Sequence, residues 1–419
     1  MVLEEIDTLV IGAGQAGIAA SEHLGRAGIP HVVLERARIA ERWRSERWDS
    51  LVTNGPVWHD RFPGLEFAAT APDGFAPKEE VADYLTAYAQ MIAAPIRTGV
   101  AVNRISRQPG RPGFLAETSA GDFHARNVVV ATGPFQKPVI PDLVPEEAGV
   151  FQLHSASYRN PAQLPPGAVI VIGAGSSGVQ IAEELLAAGR RVFLSVGPHG
   201  RPPRSYRGRD FVWWLGVLGK WDAAAPNPGT EHVTIAVSGA RGGHTIDFRQ
   251  LAAEGMTLLG RAEGFHEGVM RFAPDLATTI KSGDASYLSI LDEADAYVAR
   301  FGLELPPEPE ARQFRPDPDC MIRPVLSLDV AKEGIGTILW ATGYEQDHSW
   351  INLDAFDGRG RPRHQRGASV EPGLYFLGLP WQSRRGSSFL WGVWHDARHI
   401  ADLIAIQHAY HIHRPAKVI

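Results

Sequence analysis

The segment Asp7-Thr8-Leu9-Val10-Ile11-Gly12-Ala13-Gly14-Gln15-Ala16-Gly17 decides the fold of this chain. It begins with a short apolar run typical of a buried strand and ends in three glycines with the spacing GxGxxG. In such a turn Gly12 permits the tight bend, Gly14 lets a ligand approach the backbone, and Gly17 lets the following helix pack closely. Amide groups at the start of that helix then face a diphosphate. The segment therefore predicts a dinucleotide site.

The chain carries the same pattern a second time. An apolar run over 168–172 leads into a turn made of Gly173, Ala174, Gly175, Ser176, Ser177 and Gly178. One GxGxxG is weak evidence, but two in the same context predict two dinucleotides, and passing electrons between them is the usual reason to hold both. The predicted fold class is α/β, with two Rossmann-like dinucleotide-binding domains.

Composition restricts the function classes. The 419 residues are enough for two or three domains, and a net charge of −6 gives no electrostatic case for a nucleic-acid partner. A single cysteine, Cys320, excludes a disulfide framework and the two-cysteine relay of flavin disulfide reductases. No signal peptide precedes the first strand, and the apolar run 211–219 is too short to span a bilayer. We expect a soluble cytoplasmic enzyme.

The first turn is followed by an acidic residue at the expected distance. The strand predicted at 31–34 leads into Glu35, where a carboxylate can accept hydrogen bonds from ribose hydroxyls. A 2′-phosphate beside Glu35 would be repelled, so this site is predicted to take the adenosine half of FAD or NAD. The alternative is a solvated carboxylate at a strand end.

The second turn differs at the equivalent position. There the strand predicted over 191–194 leads into Ser195, and Arg201 and Arg204 follow within a few residues. A neutral hydroxyl with nearby guanidinium groups suits a 2′-phosphate, because arginine forms charge-assisted bonds to phosphate. The prediction is NADPH rather than NADH, and the alternative is a solvated basic loop.

Four further segments carry a family resemblance: Val52-Thr53-Asn54, His154-Ser155-Ala156-Ser157-Tyr158, Trp340-Ala341-Thr342-Gly343-Tyr344 and Gly373-Leu374-Tyr375-Phe376-Leu377-Gly378. With both glycine turns, they resemble the class B flavin-containing monooxygenases, including the YUCCA-like enzymes, over nearly the whole chain. The resemblance implies a discontinuous FAD domain, 1–148 and 332–419, with an NADPH domain, 149–331, inserted in it. Two Ala-Thr-Gly strand ends, 131–133 and 341–343, match the places where the chain leaves and re-enters the FAD domain.

The resemblance also implies roles for single residues. Thr53 and Asn54 would lie where flavin and nicotinamide meet, with the Asn54 amide bonded to the flavin, and the alternative is a simple turn. Trp43 would lie along the flavin, and a helix start near Gly392 would face its pyrimidine end. The predicted cofactor-binding residues are Gly12, Gly14, Gln15, Ala16, Gly17, Glu35, Trp43, Thr53, Asn54, Val102, Thr132, Gly133, Gly173, Gly175, Ser176, Ser177, Gly178, Gln180, Ser195, Arg201, Arg204, Ala341, Thr342, Gly343, Leu379 and Gly392.

Other side chains are candidates for the substrate pocket or are discounted. Trp381, Trp391 and Trp394 are predicted to wall an aromatic pocket. His395 and His399 have the i, i+4 spacing of a zinc-protease helix, but they lack its glutamate and a third ligand, so no metal is predicted. Three interpretations of the apolar segment 211–221 are open: a lid, a dimer contact and a membrane-touching surface.

The sequence therefore predicts an NADPH-dependent FAD monooxygenase that forms a flavin hydroperoxide. Its partners would be molecular oxygen and a small organic substrate, oxygenated at nitrogen or sulfur, and a homodimer is possible. Baeyer–Villiger or oxidative-decarboxylation chemistry is one alternative, disfavoured because Tyr158-Arg159 replace the usual Trp-Pro and Gly149 lies five residues before His154 instead of four. A flavin reductase that passes electrons to a protein is another, and a non-catalytic sensor is a third.

Overall fold

The fold was analysed in a computed structural model of the chain, which describes residues 3–224 and 235–413. The first part of the chain supplies seven strands and three helices. The strands are β1 Leu3–Ile11, β2 His31–Glu35, β3 Ile96–Thr98, β4 Val102–Gln108, β5 Arg111–Thr118, β6 Asp122–Val130 and β7 Lys137–Pro138, and the helices are α1 Gln15–Arg26, α2 Glu41–Ser45 and α3 Lys78–Met91.

The middle of the chain supplies the next ten strands and five helices. The strands are β8 Phe151–His154, β9 Ala168–Ile172, β10 Val192–Ser195, β11 Ser205–Tyr206, β12 Arg209–Asp210, β13 Thr257–Leu259, β14 Ala262–His266, β15 Val269–Phe272, β16 Ser327–Asp329 and β17 Ile335–Trp340. The helices are α4 Ser176–Ala187, α5 Phe211–Val217, α6 Phe248–Ala253, α7 Leu276–Phe301 and α8 Asp319–Ile322.

The last part of the chain supplies β18 Tyr344–Glu345, β19 Ile351–Asn352, β20 His364–Gln365, β21 Ala368–Ser369, β22 Leu374–Phe376 and the long helix α9 Leu390–Ile412, which follows a 3-10 turn at Arg385–Ser388. None of the helices in the described ranges is both long enough and apolar enough to cross a membrane.

A ten-stranded sheet forms the first nucleotide unit. Seven of its strands run in the order β19-β4-β5-β6-β1-β2-β3, with β1, β2, β3 and β6 parallel, and the other three, β20, β21 and β22, join the sheet through the pairing of β22 with β6. Strand β6 pairs with two different strands along its length. Residues 123–125 pair with β5 in antiparallel orientation, and residues 128–130 pair with β22 in parallel orientation. The final segment of the chain is thereby fixed beside the first glycine turn.

A five-stranded, wholly parallel sheet forms the second nucleotide unit, in the order β13-β10-β9-β17-β8. Strand β17 was predicted to belong to the FAD domain at 332–419, and this boundary is wrong. It pairs with β9 because Gly336 lets its backbone lie directly against the Pro166 carbonyl. The chain returns to the first unit only after Trp340.

The two crossings between the units lie side by side. Strand β7 follows the first Ala-Thr-Gly turn and β18 follows the second, and the two pair as a short antiparallel ribbon. Each large sheet is buried on both faces by its own apolar side chains. Helices α1, α3 and α9 cover one face of the first sheet and α4, α6 and α7 one face of the second, whereas strands and loops cover the opposite faces.

Candidate active site

The first glycine turn has the geometry predicted from the sequence. Gly12 has φ 106°, and a Cβ there would lie 2.7 Å from the Ala131 carbonyl oxygen. A Cβ on Gly17 would clash with the Gly12 carbonyl, so this glycine lets α1 pack on β1. A Cβ on Gly14 would meet no atom within 4 Å. The backbone at Gly14 is therefore open to a ligand.

A cavity of about 630 Å³ opens at this turn. Its lining unites the glycine turn with the ends of β2, β4 and β6, which are distant in sequence. Nine predicted cofactor residues line it: Gly12, Gly14, Gln15, Ala16, Glu35, Trp43, Val102, Thr132 and Gly133. The Trp43 indole donates to the Gln15 side-chain oxygen at 3.4 Å, and the Gln15 amide donates to the Ser388 carbonyl at 3.1 Å.

Glu35 lies at the cavity wall with both carboxylate oxygens engaged. They accept hydrogen bonds from the backbone amides of Ala13 and Ala37, each at 2.9 Å. These bonds hold the glycine turn against the end of β2. A carboxylate oxygen has a second lone pair, so each can still accept a ribose hydroxyl.

Sequence reasoning did not name the cations that line this cavity. They are Arg36, Arg42, Arg47 and Lys137, and they stand beside the acidic residues Glu35, Glu41, Glu46 and Asp347. The Arg47 guanidinium packs over the Trp43 and Phe135 rings, at 5.8 and 5.3 Å from their centroids. The run of arginines on and around α2 was the available signal.

The open Gly14 backbone, the strand-end carboxylate and these cations together fit a dinucleotide such as FAD, whose diphosphate needs amides and positive charge.

The second glycine turn repeats the first. Gly173 has φ 103°, and a Cβ there would lie 2.5 Å from the Ala341 carbonyl oxygen. A Cβ on Gly178 would clash with the Gly173 carbonyl. Gly175 caps α4, which begins with Ser176 and Ser177, and the Ser176 hydroxyl donates to the Ile235 carbonyl at 2.7 Å. Each glycine turn is thus backed by one Ala-Thr-Gly turn, Ala131-Thr132-Gly133 or Ala341-Thr342-Gly343.

Both arginines assigned to the 2′-phosphate are buried and already paired. Arg201 donates to the Asp284 carboxylate at 2.7 Å and to the Ile246 carbonyl at 3.2 Å. Arg204 donates to Asp210 at 2.6 and 2.5 Å. Their side chains are only 5% and 7% exposed. Both guanidinium groups are thus engaged inside the protein, and their assignment to a 2′-phosphate stays a prediction that these contacts do not support.

Ser195 is also engaged inside the protein. It ends β10, is buried, and donates its hydroxyl to the Gly260 carbonyl at 2.9 Å. The hydroxyl therefore fixes the strand end instead of pointing outward as a phosphate ligand. The end of β10 still lacks the acidic residue that Glu35 supplies in the first unit.

Thr53 and Asn54 lie at the contact between the two units. The Thr53 hydroxyl donates to the Gly55 carbonyl at 2.8 Å and accepts from the Ala76 amide at 3.1 Å, so it shapes the turn that carries Asn54. Asn54 is half-buried, and its side-chain oxygen accepts a hydrogen bond at 2.8 Å from Gln180 of α4. The predicted catalytic residue is thereby joined to the second nucleotide unit.

The C-terminal segment closes the first cavity, but its two predicted cofactor residues, Leu379 and Gly392, do not line that cavity. Gly378 and Ser388 line the cavity, and α9 begins at Leu390 beside them. Leu379 is buried in the apolar core. A Cβ on Gly392 would clash with the Gly386 carbonyl, so Gly392 is a packing position where α9 meets the preceding 3-10 turn.

The three candidate tryptophans have different surroundings. Trp394 packs in the core of the first unit against Phe62 and is 8% exposed, which does not support its assignment to a substrate pocket. Trp381 is half-buried with φ 55°. Trp391 lies in an aromatic cluster with His59 and Trp221, at ring-centroid distances of 4.9 and 5.5 Å.

This aromatic cluster unites three separate parts of the chain. His59 stacks on Trp221 at 5.4 Å, and its Nδ1 atom lies 2.7 Å from the Asp60 carboxylate. Trp58 completes the cluster beside His59, and the exposed Phe389 packs on Trp221. Trp221 belongs to the segment 211–221, which therefore covers the first unit near Asn54. Sequence reasoning named only Trp391 of this cluster as a pocket residue.

Comparisons with known proteins identify the family. A profile of the pyridine nucleotide-disulphide oxidoreductases matches residues 9–207. A CzcO-like oxidoreductase of Geobacillus kaustophilus is 34% identical over 400 residues, which are 94% of this chain and 97% of that protein. The chain belongs to the CzcO-like oxidoreductase family.

Two further comparisons show what this CzcO-like oxidoreductase is similar to beyond its own family. Indole-3-pyruvate monooxygenase YUCCA1 of Oryza sativa is 29% identical over 192 residues, 45% of this chain and 47% of that protein. The flavin-containing monooxygenase of Stenotrophomonas maltophilia shares the fold, with a TM-score of 0.66 at 21% identity over 97% of this chain and 99% of that one. The predicted resemblance to class B flavoprotein monooxygenases is confirmed.

Proposed function

We propose that this CzcO-like oxidoreductase is an NADPH-dependent FAD monooxygenase that oxygenates a small organic substrate, most favourably at nitrogen or sulfur. The observation that carries the proposal is the position of Asn54, which lies on the first unit and is bonded to the helix of the second glycine turn. A residue at this junction is suited to contact a flavin and a nicotinamide at the same time. The cytoplasmic location and the homodimer stay predictions.

FAD would be held in the cavity of the first unit. The amides at the start of α1 and the cations Arg36, Arg42 and Lys137 suit its diphosphate, and Glu35 suits its ribose. When bound, FAD would supply the redox chemistry, which is hydride acceptance from NADPH and oxygen activation, with one oxygen atom passing to the substrate and the other leaving as water. NADPH would dock at the second turn, where Ser195 places no carboxylate at the strand end to repel a 2′-phosphate.

The residues around Asn54 have positioning and shielding roles in this proposal. The Asn54 amide would donate to the flavin without supplying an acidic proton. The cluster of Trp58, Trp221, Trp391 and His59 excludes water from one side of the junction, which favours oxygen transfer over the release of hydrogen peroxide. An aromatic wall suits an apolar or aromatic substrate with a soft nucleophilic atom.

Rapid mixing of the NADPH-reduced holoenzyme with oxygen tests the proposal. A monooxygenase should show a lag before the oxidised flavin spectrum returns, because the activated oxygen waits for a substrate. Asn54→Ala should shorten that lag about tenfold, since one hydrogen bond to the reacting centre is lost. Asn352→Ala, an exposed change on β19, is the matched control. Immediate return with stoichiometric hydrogen peroxide in the wild type would instead support a reductase or an oxidase.

A further inference from the structure

The orientation of the Asn54 side chain is fixed by a glutamine of the second unit. Gln180, which is 5% exposed on α4, donates from Nε2 to the Asn54 Oδ1 atom at 2.8 Å. The same nitrogen donates to the Val237 backbone carbonyl, also at 2.8 Å. Gln180 and Asn54 are 126 positions apart in sequence, so only the fold brings them together.

These two hydrogen bonds determine the orientation of both side-chain amides, that is, the directions in which their oxygen atoms and NH₂ groups point. A backbone carbonyl only accepts hydrogen bonds, so the part of Gln180 that faces Val237 must be its NH₂ group. That group requires an acceptor at Asn54, and Asn54 therefore presents Oδ1 to it. The Asn54 NH₂ group is turned the other way, and in residues 3–224 and 235–413 it has no hydrogen-bond partner. Asn54 is thereby left as a donor.

The backbone of Asn54 is held by the second unit as well. Arg204 Nη1 donates to the Asn54 carbonyl at 2.7 Å, while Nη2 binds the Asp210 carboxylate. The guanidinium lies between two rings, 4.8 Å from the centroid of Phe75 and 4.5 Å from that of Phe211. A buried cation that is bonded through both Nη atoms leaves the turn of Asn54 little freedom to move. This contact also explains why Arg204 is buried.

We propose that Gln180 and Arg204 are positioning residues through which the nicotinamide-nucleotide unit sets Asn54 as a hydrogen-bond donor. This inference rests on the proposed function, in which Asn54 faces the flavin. Gln180 lies four residues beyond Ser176, about one turn into the helix whose first amides suit the diphosphate of the nucleotide. The helix that would bind the nucleotide therefore also carries the side chain that orients Asn54.

Gln180→Glu tests the orientation directly, because it keeps the shape of the side chain and removes both donors. A carboxylate accepts hydrogen bonds, so Asn54 should rotate and donate its NH₂ group to it. In rapid mixing with oxygen, the NADPH-reduced holoenzyme of this variant should show a lag about tenfold shorter than the wild type. The Asn54→Ala/Gln180→Glu double variant should have the same lag as Asn54→Ala, because the two single changes remove the same interaction between Asn54 and the flavin.

A second readout is independent of turnover. NADP⁺ added to the oxidised holoenzyme should change the flavin absorbance spectrum, and Gln180→Glu should alter that difference spectrum in the same way as Asn54→Ala. Arg204→Lys should alter it to a smaller degree, because lysine keeps the charge but not both hydrogen bonds. A Gln180→Glu variant that weakens NADP⁺ binding while leaving the difference spectrum unchanged would overturn the positioning role.

Glu183→Gln is the matched control on the same helix. Glu183 is also buried on α4, but it accepts from His244 at 2.7 Å and has no contact with Asn54. Its lag and difference spectrum should equal those of the wild type. An unchanged lag in Asn54→Ala would reject the proposed function of Asn54. A shortened lag in Asn54→Ala together with a normal lag in Gln180→Glu would reject the positioning role alone.

Discussion

The arginines show how the same residue type has opposite roles in the two nucleotide units. Arg42 and Arg47 line the first cavity, where they would meet a diphosphate while Arg42 pairs with the Glu46 carboxylate and Arg47 donates to the Glu46 carbonyl. Arg201 and Arg204 are buried in ion pairs with Asp284 and Asp210. A buried guanidinium without its carboxylate is costly, so these two arginines contribute to stability and geometry before they contribute to any ligand site.

Arg201→Ala is expected to destabilise the protein without changing its nucleotide preference. The variant leaves the Asp284 carboxylate short of one of its two buried cations and removes the contact of the guanidinium with the Tyr287 ring at 4.5 Å. The free energy of unfolding in urea should fall by about 3–5 kcal/mol, whereas the ratio of KM values for NADPH and NADH should stay constant.

Arg241→Ala provides the comparison for this prediction. Arg241 is 61% exposed, and its buried partner Glu183 keeps the hydrogen bond from His244 at 2.7 Å, so the loss of Arg241 should cost about 0–1 kcal/mol. A selective rise of the KM for NADPH in Arg201→Ala, with normal stability, would support the assignment of Arg201 to the phosphate.

At the scale of elements, each nucleotide unit is built around one strand–turn–helix in which the three glycines have different duties. Gly12 and Gly17 are required by close approach within the protein, because a Cβ at either would meet a carbonyl oxygen. Gly14 has open space beside it. Only the middle glycine is therefore free to respond to a ligand.

Substitutions at the two kinds of glycine should have different effects, one on folding and the other on FAD binding. Gly17→Ala should prevent stable folding, because the methyl group would clash with the Gly12 carbonyl and push α1 away from β1. Gly14→Ala should fold with normal urea unfolding of the apoprotein but retain FAD more weakly, which flavin release during gel filtration measures. Equal retention of FAD by Gly14→Ala and the wild type would contradict the predicted approach of the diphosphate.

At the scale of the whole molecule, buried histidines make stability depend on pH. His348 is buried beside Phe356 and Phe376, and burial lowers its pKa to about 4. In the unfolded chain its pKa is about 6.5. Between these values the unfolded state binds more protons than the folded state, so the stability falls as the pH falls from about 6.5 towards 4.

His348→Phe should remove this part of the pH dependence. Between about pH 7 and pH 5 the free energy of unfolding of the wild-type holoprotein in urea should fall by on the order of 2 kcal/mol more than that of the variant. His266→Phe, at a position that is 75% exposed, should keep the full pH dependence of the wild type. If His348→Phe and the wild type lose the same free energy of unfolding over this pH range, groups other than His348 control the pH dependence of stability.

The sequence predicted the site unevenly, and particular residues show why. Nine predicted residues line the first cavity because their positions follow from one strand–turn–helix and the strands that end beside it. The ion pairs of the arginines after β10 have no sequence pattern, because Asp284 lies 83 positions from Arg201 and nothing marks Asp210 as the partner of Arg204. The core position of Trp394 was not predicted, because a tryptophan in the core and one in a pocket look the same in a sequence.

The sequence by itself determined the two glycine turns, their strands and helices, and the family, because these depend on backbone conformation and on the spacing of neighbouring residues. Only the tertiary structure decided that β17 joins the second sheet, that Arg201 and Arg204 are paired inside the protein, and that Gln180 meets Asn54. Burial, ion pairing and amide orientation depend on atoms that distant parts of the chain bring together. No local pattern in a sequence contains that information.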